Sequence, residues 1–396
     1  MTCEQSFFIE ILKDYLAGAK TEPRPNINWK TISNYAIIHQ VEGIVYFQCK
    51  SFIPAENSVF LDRKLSTTLF YYKNRERDYM DIRAAFDKAG IEYFAVKGME
   101  VAACYPVPAL RTMGDLDVVV HRDDKKKAGD ILESLGYIKH GDQAPDYDWS
   151  YDRNRMHVEL HHQLFYYEPG RSLKQVDFFN RCWDYVDNGR LNCSFHFMFV
   201  LAHLRKHLIN SGAGFRMFMD VAAMINNAPG LDWKWIEETL KQLEMWKFSQ
   251  ICFMLCERWY AVKAPLRFEE TDVAFVEEAA EKIFADGVFG FNNKGNRNNV
   301  AINSILTHGK ARKLSRAHMV INHLFPKYMH MRYIPYYSFI EGRPWLLPAA
   351  WIYRFARLMA GKIDSMQGFA MKVNLPDSEV DAREEEMRRW GLFDDE

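Results

Sequence analysis

One run restricts the possible folds more than any other: Asp115-Leu116-Asp117-Val118-Val119-Val120. Leu116–Val120 reads as a buried strand with acids at its start. Residues two apart on a strand share a face, so Asp115 and Asp117 stand side by side, roughly 7 Å apart at Cα. A second run, Met156-His157-Val158-Glu159-Leu160-His161, alternates in the same way. His157, Glu159 and His161 share one face there and the apolar residues take the other. If the two faces meet, three carboxylates converge. At about 5 Å and an effective dielectric near 20, each like-charged pair costs on the order of 3 kcal/mol. Protons or a divalent cation must compensate.

Around these runs the hydrophobic period changes twice. Residues 1–89 read as a helical segment. Phe7, Ile11, Leu12 and Tyr15 lie at helical spacing, and a second helix covers about Trp29–Phe47. The third carries the stripe Leu61, Leu65, Leu69, Tyr72, Tyr79, Ile82 and Phe86, with Gly90 in the place of a C-cap. Residues 90–190 then predict a strand at Ile91–Val96, a short helix at Gly98–Tyr105 and the strand at Leu116–Val120. A helix capped at Asp123 or Asp124 follows, then a hairpin turning at Asp152-Arg153-Asn154. From about Leu191 helical patterning returns, giving a C-terminal helical domain over 191–370. Its main interruption, Asp286–Asn299, holds three glycines and five asparagines and reads as a turn cluster packed over something. Residues 371–396 form an acidic tail, with nine acids and three arginines from Asp377 onward, expected to be solvated. The fold class is α+β: a small mixed sheet flanked by helical segments.

Composition removes other classes. The 396 residues are 48% hydrophobic and 26% charged with a net charge of −1, so no global basic charge points to nucleic acid. Seven scattered cysteines without a CxxC build neither a disulfide framework nor a zinc ribbon. Glu4 and Glu10 interrupt the N-terminus, so no signal peptide is expected, and no apolar stretch reaches the roughly 20 residues of a membrane span. A cytoplasmic, reducing setting is the expectation.

Two further groups belong beside the acids. Lys97-Gly98 ends the first strand at a helix N-terminus, where free N–H groups bind anions and Gly98 admits a phosphate to the main chain. Arg111 could reach a phosphate with its planar fork, or pair with Asp115 or a neighbour.

These stretches resemble a family. Phe94-Ala95-Val96-Lys97-Gly98, Cys104-Tyr105-Pro106 and Leu110-Arg111-Thr112-Met113-Gly114-Asp115-Leu116-Asp117 look like the uncharacterised nucleotidyltransferase family, within the DNA-polymerase-β-like superfamily. Leu132–Tyr137, His157–His161, Leu201–His207, Phe215–Asp220 and Gly287-Val288-Phe289-Gly290 fit the same pattern, over about residues 5–350. The resemblance implies a small mixed sheet bearing acids at one edge. It implies that Asp115 and Asp117 hold two Mg²⁺ (or Mn²⁺) ions with Glu159 as the third acid, and that Lys97, Gly98 and Arg111 cradle phosphates. The superfamily's Gly-Ser phosphate loop is absent: Met99 follows Gly98, and sixteen residues separate Gly98 from Asp115.

Other side chains keep two readings. His157 and His161 flank Glu159, either as partners or bases beside the acids or as a transition-metal site with it. His203 and His207 are one helical turn apart, lining a cleft or satisfied in the core; Leu204 stands where a zinc-protease helix has Glu. Arg216 and Asp220 form an intrahelical salt bridge or shape an acceptor or base pocket. The arginines at 332, 343, 354 and 357 punctuate an aromatic stretch that packs as a bundle or, less simply, lies at a membrane interface. The sequence thus points to a metal-dependent nucleotidyltransferase that takes an NTP and an unknown small-molecule, sugar or protein acceptor. A non-catalytic nucleotide- or partner-binding module on the same fold is the alternative. Asp117→Asn is expected to relieve repulsion and leave the melting temperature equal or higher.

Overall fold

Helices alone build the chain up to Gly90. This architecture is seen in a computed structural model that describes all residues except 141–147, 167–171, 268–272, 291–292, 294–295, 297, 307–316, 318–319, 322–323, 332–334, 341, 360–374 and 394–396. Helix α1 (Cys3–Leu16) opens on a capping box between Thr2 and Gln5. The single helix expected over 29–47 is two, α2 (Trp29–His39) and α3 (Glu42–Cys49). The break is at Gln40, whose φ of 56° ends the first helix and whose carbonyl accepts from Thr112 Oγ1 at 2.7 Å. Helix α4 (Ala55–Ala89) ends at Gly90, φ 65°, as its sequence predicts. Its stripe is buried only at the ends. Leu61 joins the main core and Ile82 and Phe86 lie under the sheet, while Leu69 between them is exposed.

The sheet comes next: β1 (Tyr93–Val96), β2 (Asp115–Val120), β3 (Ile138–His140), β4 (Trp149–Arg153) and β5 (Met156–His161), in the order β1-β2-β5-β4-β3. Strands β2 and β5 run parallel and the other pairs antiparallel. Helix α5 (Gly98–Ala102) follows β1, and α6 (Lys125–Ser134) follows β2. The β4–β5 turn falls on Asn154 and Arg155, both at positive φ, so Asp152 and Arg153 remain in β4 rather than in the turn. Alternation then sorts the faces. Leu116, Val118, Val120, Val158 and Leu160 pack with Phe86 of α4 and Ala128 and Leu132 of α6. The intervening residues, acids included, face the other way.

That other face meets the helical half. Helix α7 (Leu173–Asn180) and a small hairpin, β6 (Val186–Asp187) and β7 (Arg190–Leu191), lead to α8 (Cys193–Asn210) and α9 (Phe215–Asn227). Then come α10 (Trp233–Gln242), α11 (Trp246–Tyr260), α12 (Val273–Asp286) and α13 (Asn299–Leu306). One apolar core runs from Phe7 and Phe8 through Phe94 and Val119 to Phe215, Trp259 and Trp390. The helical segments before and after the sheet therefore share their interior. Among the described residues no helix is long and apolar enough to cross a membrane. The later aromatic stretch contributes a helix at Leu347–Met359; Arg332 and the expected helical end near Lys362 lie outside the described residues.

The C-terminal segment is docked, although Asp377, Glu379, Asp381 and Glu385 are exposed as expected. Asp377–Arg389 is a helix that buries Val380, Arg383 and Met387, and Trp390 and Leu392 follow it into the core. Arg383 Nη2 donates to the carbonyls of Leu208 (2.7 Å) and Ile209 (2.9 Å), last-turn oxygens of α8 that have no partner within their own helix. Arg205 of α8 returns the contact, donating to the Leu392 carbonyl at 2.6 Å. Charge composition alone misreads this segment because its apolar minority decides the packing. Arg383→Ala should lower unfolding free energy by about 1–3 kcal/mol, since the buried Leu208 carbonyl loses its donor while Ile209 keeps Asn303 Nδ2 at 2.7 Å. Glu385→Ala, on the exposed face, should leave it within about 0.5 kcal/mol. Urea unfolding of both variants checks this, and equal midpoints would mean the segment is not anchored.

Candidate active site

The parallel register of β2 and β5 sets Asp117 opposite Glu159, Asp115 opposite His157 and Val119 opposite His161. The convergence that the sequence leaves open is therefore present. One ligand atom each from Asp117, Glu159 and His161 lies within 4.8 Å of the others, a group able to hold a metal ion. Its composition differs from the three acids expected: His161 is in it, and Asp115 stands two residues back along the strand.

Asp117 is 1% exposed, yet it is charged. Burial by itself would raise its pKa. The Lys97 ammonium, 2.8 Å from Oδ1, and His161 Nε2, 3.0 Å from the same oxygen, overcome that and hold it well below the ordinary carboxylate range. His161 is fixed at both nitrogens, since Nδ1 lies 2.6 Å from Asp148 Oδ1 and Tyr166 also donates to that carboxylate. Burial would lower its pKa, but these two acids raise it to about 10, so the ring is an imidazolium donating at both ends. Glu159 moves the other way. Burial raises its pKa, Asp117 and Asp115 add to the rise, and His161 and Lys97 only partly oppose it. His157 meets Asp152 Oδ1 through Nδ1 at 2.7 Å and brings Nε2 to 3.8 Å from Glu159 Oε1, but the metal-capable group is Asp117, Glu159 and His161.

Lys97 reaches Asp117 from a strained turn. Its φ of 55° and ψ of −122° fall outside the regions a side-chain-bearing residue prefers, a conformation that costs about 1–3 kcal/mol. Two bonds hold it: Nζ on Asp117, and its backbone N–H donating to His196 Nε2 at 2.9 Å. His196 must be neutral to accept. Burial, then the nearby charges of Arg111 and Lys97, press its pKa down to about 4.

A cavity of about 390 Å³ opens where this edge meets α8 and α9. Lys97, Gly98 and Asp115 line it from the sheet side, and His203, His207 and Arg216 from the helices. Phe289, from the turn cluster after α12, closes one wall. That cluster is packed as its composition suggests: Val288 N–H donates to the Ile38 carbonyl at 2.8 Å, and Asn293 and Asn296 both donate to Asp286. The two cavity histidines of α8 are neutral, His207 near pKa 3 and His203 well below its ordinary value, with burial the main cause. A larger hollow of about 470 Å³ runs along α4, but its arginines are engaged: Arg153 with Asp78, Arg155 with Tyr71, Arg75 with the Gly114 carbonyl.

Arg111 sits differently from the phosphate fork or Asp115 partner foreseen for it. It binds Asp220 with two parallel bonds, Nε–Oδ1 at 2.7 Å and Nη2–Oδ2 at 2.8 Å, and Nη1 reaches the Gly98 carbonyl at 3.2 Å. Tyr105 donates to Asp220 as well, at 2.6 Å. Asp220 thus has no ion pair with Arg216. Three residues of the site escaped the sequence: His196, Asp148 and Tyr166. His196 carried a signal, because it lies seven and eleven residues before His203 and His207, on the same face of α8. Asp148 and Tyr166 carried none, being brought to His161 only by tertiary packing.

A sequence model of the family described as "Uncharacterised nucleotidyltransferase" matches residues 25–261, more than half of the chain. The Gly287–Gly290 stretch counted in the likeness falls outside that span. No curated protein and no solved structure matches.

The neutral His196 sets a pH dependence. The unfolded chain takes this proton below about 6.5, whereas the folded one refuses it until about 4. Stability conferred by the neutral ring is complete above 6.5 and falls as pH drops through that window, by up to about 1.4 kcal/mol per unit. His196→Gln should flatten stability against pH between 6 and 4.5 by about one proton, read by urea unfolding at stepped pH. An unchanged slope would mean His196 does not hold the Lys97 turn in its neutral form.

Proposed function

Because the chain belongs to the uncharacterised nucleotidyltransferase family, we propose that it moves a nucleoside monophosphate from an NTP to a hydroxyl or phosphate of an acceptor. The observation that carries this reading is the pairing of Asp117 with Glu159 across parallel strands, with His161 in the same group. The adjoining cavity of about 390 Å³ is in the range of small-molecule sites. Carboxylate oxygens fit Mg²⁺ as well as Mn²⁺, and Asp117 and Glu159, with Asp115 beside them, would hold the ion. A divalent cation supplies Lewis-acid stabilisation of phosphate oxygens when bound.

The chain's own groups have separate tasks in this proposal. Lys97 brings a point charge and Gly98 an open backbone to the phosphates. Glu159, whose proton affinity burial raises, accepts the proton of an attacking hydroxyl. His161, charged and doubly anchored, keeps Asp117 oriented. Arg111 holds Asp220 and the Gly98 carbonyl, which positions the loop rather than the substrate.

A nucleotide-binding module without turnover is the second reading. It is favoured by one fact: Asp117 is already neutralised by two cations of the chain itself. Incubating the full chain with each NTP and Mg²⁺ or Mn²⁺, while following pyrophosphate release and label transfer, separates the two. Binding without pyrophosphate would select the module.

Two variants sharpen the test. Glu159→Gln should reduce pyrophosphate release at least 100-fold with a melting temperature equal to or above that of the parent, because it removes a half-buried charge. Asp117→Asn should also abolish release but now should melt lower, since Lys97 and His161 both lose their buried partner, at a cost of several kcal/mol. This reverses the stability expected from the sequence, where only repulsion among acids is visible. Equal melting of Asp117→Asn and the parent would contradict the two-cation arrangement.

A further inference from the structure

Among the described residues, the cations around the cavity pair with acids except at Arg216. Lys97 is bonded to Asp117, and Arg111 is bonded to Asp220. Arg216, only 8% exposed, donates Nη1 to the Thr112 carbonyl at 2.8 Å, its Nε has no hydrogen-bond partner, and no acid of the described residues forms an ion pair with it. Its guanidinium carbon lies 5.9 Å from the centre of the Phe289 ring. The neighbouring imidazoles, being neutral, neither oppose nor share its charge. Asp115 is the remaining acid on the cavity wall, and no ion pair joins it to Arg216.

An unpaired guanidinium buried to this degree is costly unless something meets it. Burial lowers the Arg216 pKa, with Arg111 adding to the effect against Asp220, so the desolvation is not relieved internally. Arg216 also opens the 13-residue helix α9, two residues past Gly214, which has no side-chain cap. An open acid at one wall and an open guanidinium at another suit a ligand that carries both a cation and phosphate oxygens.

We propose that Arg216 is the anchor for a phosphate chain entering this cavity, the part the sequence suggested for Arg111. The proposal rests on the nucleotidyl-transfer reading only for the source of the anion, which is either the nucleotide's triphosphate or a phosphate of the acceptor. Nε is buried, but Nη2 makes no hydrogen bond, so the outer end of the guanidinium is suited to a phosphate oxygen. Arg216 binds; it takes no part in bond making.

Calorimetry on the full chain tests this with two probes, inorganic tripolyphosphate and a non-hydrolysable NTP with Mg²⁺. Arg216→Gln should weaken tripolyphosphate binding at least tenfold, Arg216→Lys should recover part of the loss, and neither should melt below the parent. Equal loss for both probes assigns the nucleotide's triphosphate; loss for tripolyphosphate alone assigns the acceptor's phosphate. Unchanged tripolyphosphate binding in Arg216→Gln overturns the proposal, as does a parent chain that binds no tripolyphosphate. Lower melting in both variants together with lost binding also overturns it, since Arg216 would then be a structural clamp on Thr112. Pyrophosphate release is scored separately: binding lost in Arg216→Gln without turnover in the parent leaves the anchor standing and removes the enzyme. Turnover in the parent with unaltered binding in the variant does the reverse.

Discussion

The arrangement depends on one oxygen. Asp117 Oδ1 receives Lys97 from the end of β1 and His161 from the end of β5, so a single buried carboxylate ties three neighbouring strands at their functional edge. Each partner is itself fixed behind: Lys97 by His196 of α8, His161 by Asp148. Removing any one charge leaves others buried and unmatched, which is why the group behaves as a unit. The strained backbone at Lys97 persists because both its N–H and its ammonium are held.

A second ion pair performs the complementary task. Arg111, Asp220 and Tyr105 join the segment before β2 to α9 with every strong donor and acceptor matched. Such a closed cluster gives rigidity and leaves nothing for a ligand. The cavity then lies between a closed cluster and an open one. On one side the loop is locked in position, and on the other no ion pair engages Asp115 or Arg216 among the described residues.

The sequence made the strands legible, along with the long helix to Gly90 and the acid face, because alternation and period are local properties. Register is not local. Nothing in His157–His161 states that β5 lies parallel beside β2, so the meeting of Asp117 with Glu159 could only be supposed. Spacing misled where a better partner existed elsewhere: Arg216 and Asp220 stand one turn apart, yet Asp220 turns to Arg111, whose fork matches both its oxygens. The break at Gln40 and the packing of the Asp377–Arg389 helix escaped for the same reason. Each is decided by a distant partner, Thr112 in one case and the end of α8 in the other.

The histidines show what this packing accomplishes chemically. His161 is held protonated up to about pH 10 by two acids, while His196 and His207 are held neutral down to about 4 and 3 by burial. Around neutral pH none of these three rings changes charge. An ordinary imidazole, with its pKa near 6.5, would have titrated in the middle of that range. The facing carboxyls of β2 and β5 are driven apart in the same way: the cations at Asp117 lower its proton affinity, while burial raises that of Glu159.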